Sequence, residues 1–244
     1  NGTSWTEVND LNQVRQQLEG SGADNTSALA FGGFNPPTFH ANTESWNGTS
    51  WTEVNDLNSA RRDLGGNGTI TSSLAYGGDL PGVTTNTESW NGSSWTEIGD
   101  LNTARRLAGA GTDNTNALAI AGETPGGVSA LTESWNGTSW TEVSDLSVAR
   151  QELEGAGASN SSALAFGGTL NPPAVAFTEE WNAGVAIGAW VTGGNLNTAR
   201  NNLASMGTRD DALTAGGDYS GSPEFFDGTE IYNGTAWAEI NNLN

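Results

Sequence analysis

The chain has 244 residues, among them 34 Gly and ten Trp, and 28 acidic side chains against eight basic ones leave a formal charge of −20. That charge excludes nucleic acid and anionic membrane as natural partners, because their phosphates are bound through cationic neutralisation, and it keeps a Trp-rich protein soluble. The absence of cysteine excludes disulfides and thiolate metal sites, and no apolar run reaches the roughly 18 residues that span a bilayer.

In chain order, the first phrase is NGTSWTEVNDLNQVR from Asn1. It returns around Trp51, from Asn91 and from Asn136, and in degenerate form around Trp190 and Trp237. The arginines that close it, Arg15, Arg61, Arg105, Arg150 and Arg200, lie 46, 44, 45 and 50 residues apart. A period near 45 is the length of one four-stranded propeller blade.

Each period reads as four strands. A Gly- and Ala-rich segment after the arginine is the first, followed by a polar turn such as Asp24-Asn25 or Asp113-Asn114. The second runs at 27–33, 73–78, 116–122, 162–168 and 211–217; the third begins at Thr43, Thr87, Thr132, Thr178 and Thr229. Asn-Gly then predicts a two-residue hairpin turn, and SWTEV supplies the fourth strand. Gly and Ala in first strands suit crowding at a propeller axis. Alternation puts Glu44 and Trp46 on one face, so that the Trp pairs pack between blades.

The expectation is an all-β, five-bladed β-propeller of four-stranded antiparallel blades in a closed ring: 13–56, 57–100, 101–145, 146–195 and 196–244. One count does not close. The fourth strand has six copies, at Trp5, Trp51, Trp95, Trp140, Trp190 and Trp237. Residues 1–12 therefore either compete with 235–244 for the closing position or belong to a longer array. The fourth blade, with NAGVAIGA between Trp181 and Trp190, should carry the longest outer hairpin.

A hydrophobic strand, Gly-Gly, a variable loop, an aromatic before a Trp, then Leu and Arg resembles the kelch motif over nearly the whole chain. The near-verbatim ESWNGTSWTEV dialect is similar to kelch-type proteins of environmental phages and bacteria. The resemblance implies a propeller and leaves function open, since such propellers bind, scaffold and occasionally catalyse. Copper enzymes of this kind use two histidines and a thioether-linked tyrosine, whereas this chain has one histidine, His40, and no cysteine.

Five in-register copies of Arg15, Arg61, Arg105, Arg150 and Arg200, and of Glu44, Glu88, Glu133, Glu179 and Glu230, read as a structural ring of buried ion pairs. Asn-Gly-Thr/Ser tripeptides match glycosylation acceptors, but their place in the repeat reads as turn. No cofactor, metal site or catalytic residue is expected. The segments between second and third strands, 34–42, 79–86, 123–131, 169–177 and 218–228, diverge most and share one face. Their Phe34, Phe39, His40, Leu80, Phe177, Tyr219, Phe225 and Phe226 are the candidate ligand contacts. The expected function is a non-enzymatic binding or structural module at an extracellular or virion surface, recognising glycan or protein. The alternative is a carbohydrate-active enzyme using loop carboxylates, which a non-repeated acidic pair converging in a pocket would favour.

Overall fold

A computed structural model describes residues 4–184, 188–219 and 226–243. The repeat folds into five antiparallel four-stranded sheets, the blades of a β-propeller. Blade one holds β1 (Glu19–Asp24), β2 (Ser27–Phe31), β5 (Thr43–Trp46) and β6 (Trp51–Val54), with a small ribbon of β3 (Phe34–Asn35) and β4 (Thr38–Phe39) in its second-to-third loop. Blade two is β7 (Gly65–Thr69), β8 (Ser72–Tyr76), β9 (Thr87–Trp90) and β10 (Trp95–Glu97). Blade three is β11 (Arg106–Asp113), β12 (Asn116–Thr124), β13 (Gly127–Trp135) and β14 (Trp140–Val143). Blade four is β15 (Glu154–Ser159), β16 (Ser162–Phe166), β17 (Thr178–Asn182) and β18 (Ala189–Thr192). Blade five is β19 (Ala204–Thr208), β20 (Asp211–Ala215), β21 (Thr229–Tyr232) and β22 (Trp237–Ile240).

First strands line the axis and meet their neighbours in order, β1 with β7, β7 with β11, β11 with β15 and β15 with β19. The glycines there are needed for proximity: a Cβ on Gly155 would stand 2.5 Å from the Gly109 carbonyl oxygen, and one on Gly109 2.8 Å from that of Gly66. Four apolar clusters fill the four seams between successive blades. Each is keyed by a Trp of one blade against the blade before it, as in the Phe31–Trp95 contact at 5.0 Å and Tyr76–Trp140 at 4.9 Å.

Three expectations need correcting. The Asn-Gly hairpin is a four-residue loop: Trp46 pairs with Trp51, and only Gly48 takes positive φ, at 89°. Asn47 works through its side chain, whose Oδ1 accepts the Thr49 and Ser50 amides at 2.9 Å. In blade three the expected loop 123–131 is mostly strand, because β12 and β13 continue pairing out to Thr124–Gly127. Among the described residues the ring is not sealed: no apolar cluster or first-strand packing comparable to the four seams joins blade five to blade one. The long fourth-blade hairpin pairs Asn182 with Ala189, and residues 185–187 at its centre lie outside the described residues.

Candidate functional site

The five arginines are pinned by the same grammar in each blade. The Arg15, Arg105 and Arg150 guanidiniums reach Glu44, Glu133 and Glu179 at 2.5, 2.5 and 2.6 Å, Arg200 reaches Glu230 at 2.9 Å, and Arg61 pairs with Glu88. All ten side chains are buried. The other carboxylate oxygen accepts from the crossover, as Glu133 does from the Asn102 amide and side chain at 2.7 Å. Each pair lies within one blade and ties the incoming crossover to the third strand. The link between blades comes from the same arginines' carbonyls, which accept from Gly33, Gly78, Gly122 and Gly168 of the preceding blade. Charges so consumed are not presented to a ligand.

Of the loop aromatics, Phe34 and Phe39 pack on each other at 4.9 Å beneath Arg62, whose guanidinium carbon lies 4.5 Å from the Phe34 ring centre. They are half-buried, as are Leu80 and Phe226. Phe226 faces Tyr219 at 5.8 Å and Arg200 at 4.9 Å. Phe177 and Tyr219 are each 37% exposed, and Phe225 lies outside the described residues. His40 is half-buried: its Nδ1 is 3.0 Å from Asn42 Oδ1, and its Nε2 is buried without a partner. The structure thus scatters these residues around the rim and joins them only in pairs.

What converges is a cup of about 650 Å³ on the axis, at the end carrying the second-to-third loops. All five blades line it, with six carboxylates (Glu19, Asp63, Glu123, Glu152, Glu154 and Asp218), two guanidiniums (Arg62 and Arg106) and four amides (Gln16, Gln17, Gln151 and Asn202). One wall is self-neutralised: Arg106 bridges Asp79 at 2.9 Å and Glu123 at 3.0 Å, while Arg62 holds Asp79 at 3.3 Å and Gln17 at 3.0 Å. Burial works against ionisation of Asp79, yet the Gly82 amide and the two arginines hold its carboxyl below the ordinary value. The opposite wall has carboxyls and no cation. Burial pushes Glu154 from 4.5 up to about 7, against the lowering pull of the Ser205 hydroxyl and the Gly155 amide. Burial, then the Glu154 charge, raises Glu19 well above its ordinary value, and burial also raises Glu152.

Neither the repeated phrase nor the long divergent loops contain these residues' signal. The signal was present in the breaks. The residue after each ring arginine reads Gln16, Arg62, Arg106, Gln151, Asn201, and the first-strand position of Glu19 and Glu154 holds Gly65, Ala108 and Ala204 elsewhere.

These blades and their axial cup define a protein of the β-propeller class. Among solved structures the chain is similar to "Structure of YjhT", with a TM-score of 0.74 and 13% identity over 98% of this chain and 87% of that one, a likeness of fold. No family model matches the sequence, and no curated protein matches it.

Proposed function

We propose that the chain is a binding module that takes a neutral, hydroxyl-rich ligand, a glycan unit, in the axial cup, with the second-to-third loops as its rim. It would act at an extracellular or virion surface, in keeping with its kelch-like repeat. The observation that carries this is the convergence on the axis of polar groups that the blades do not share as a set, when the Arg–Glu pairs that all five blades repeat are consumed by architecture. Carboxyls protonated near neutrality donate to hydroxyls, amides both donate and accept, and the arginines already neutralised on one wall leave no free cation for an anionic sugar.

Titration calorimetry against neutral oligosaccharides tests it. Saturable binding should strengthen as pH falls through about 7, where Glu154 gains its proton, and R106A or E154A should each weaken it roughly tenfold, the worth of one hydrogen bond involving a charged group. A cationic ligand would show the opposite pH trend, and unaltered affinity in both variants would remove the cup from consideration. Enzymatic use of the cup has one observation in its favour: Glu19 and Glu154, at one first-strand position that only two of the five blades fill with a carboxyl, face the same space. Release of new reducing ends from a bound oligosaccharide, abolished by E154Q, would decide for it.

A further inference from the structure

The edge between blade five and blade one is built like an interior seam, and among the described residues no apolar cluster fills it. At the position held by Asn67, Ala110 and Ala156, which are 6%, 3% and 4% exposed, blade five has Met206 at 58%. Ile231, on the same rung two strands out, is 38% exposed. A Cβ on Gly66, Gly109 or Gly155 would collide with the neighbouring blade, whereas one on Gly20 meets only Leu29 of its own blade, at 3.4 Å.

The hydrogen bonds are missing in the same place. Trp95, Trp140, Trp190 and Trp237 donate Nε1–H to Thr43, Thr87, Thr132 and Thr178 of the preceding blade at 3.0 to 3.2 Å. Thr229, next in that series, has a buried Oγ1 with no partner.

Two stretches already follow the course of a further blade. Residues 4–12, the surplus copy of the fourth strand, do not compete with β22. Asn9 donates to the Thr49 carbonyl at 2.8 Å, as Asn55 does to that of Ser93 at 2.7 Å, and Asn12 binds Glu44 as Asn58 binds Glu88. They lie against blade one where a preceding blade's outer strand lies. At the other side, Leu243 donates its amide to Asp227, as Leu57, Leu101, Leu146 and Leu196 do at the four points where the chain crosses into its next blade.

We propose that this open edge receives a sixth blade: the three inner strands of one further repeat, joined in series behind Leu243, with residues 4–12 as its outer strand and Trp5 as donor to Thr229. The four existing seams specify the occupant, because each blade of such an array is stabilised by its nearest neighbours through the same groups.

The chain has no cysteine, so M206C creates a single reporter thiol on the open face. In the 244-residue chain it should react with a maleimide at close to the unfolded rate. Extending the chain behind Asn244 with a copy of residues 103–135 should slow the reaction by about tenfold or more and raise Tm, with the protein still monomeric by size exclusion. A scrambled extension should do neither. A copy of residues 59–90 is the second template, so that failure of one insert does not decide the matter. Protection of the thiol without any extension would overturn the proposal, as would equal reactivity with both templates; the size-exclusion profile then tells closure on blade one from pairing with a second copy.

Discussion

Arg105 shows how much architecture a single repeated side chain carries. Its guanidinium binds Glu133 at 2.5 Å, the Thr103 carbonyl at 3.0 Å, and the Ala121 and Ala119 carbonyls at 3.1 and 3.2 Å. A cation with no exposure is tolerable only because nearly every donor is used. Truncation in R105A leaves the buried Glu133 carboxylate with neutral donors only, the Asn102 amide and side chain and the Thr103 amide, and urea unfolding should show a loss of about 3–5 kcal/mol. If R105A instead kept its stability and lost ligand, the pairs would be a site and not a frame. Such pairs were legible from five equivalent copies. The partner carbonyls were not, since they come from a strand 14 to 16 residues away that only folding brings alongside.

At the scale of the element, the outer hairpin is the seam's unit of construction. In the third strand Trp135 donates to the Asn114 carbonyl at 3.1 Å, and across the loop Trp140 donates to Thr87 of the previous blade, also at 3.1 Å. One hairpin therefore secures its own blade and the adjoining one. T87V keeps the shape and removes the acceptor, and should cost about 1–2 kcal/mol by denaturant titration through the stranded Trp140 N–H. T229V makes the same change where no indole arrives, and should be neutral or slightly stabilising. Equal effects from the two would mean that the fifth-to-first edge is closed in solution. Period-two alternation disclosed which residues share a face of this hairpin. It could not disclose the loop's geometry, because Asn47 closes the turn with its side chain and not with left-handed backbone.

Across the whole molecule, asymmetry in charge is concentrated at the axis, and this has a consequence for pH. Glu154 is raised from 4.5 to about 7 by burial, so between those values the folded chain binds more protons than the unfolded one. Its contribution to stability is thus fully favourable only below the unfolded value and is lost as pH rises through about 7. Thermal unfolding should accordingly give a higher Tm at pH 5.5 than at 7.5, and E154Q should flatten that difference by stabilising the protein at the higher pH, on the order of 1 kcal/mol. A profile unchanged by E154Q would locate the titration elsewhere in the acidic surface.

Taken by itself, the sequence determined the blade: a 45-residue period, four strands in fixed order, Trp pairs on one face and a buried Arg–Glu pair in each copy. These follow from interactions within one repeat or between adjacent ones, and such local grammar is written wherever the repeat is written. Where the repeats meet as a set was decided only in three dimensions. Glu19 and Glu154 stand 135 positions apart in the chain and face one cup because first strands converge on an axis. The open edge likewise depends on how far each blade turns relative to the last, which Gly, Ala and Trp packing sets at every seam. Those turns accumulate around the ring, so whether the last blade meets the first is settled by the assembled set and not by any one repeat.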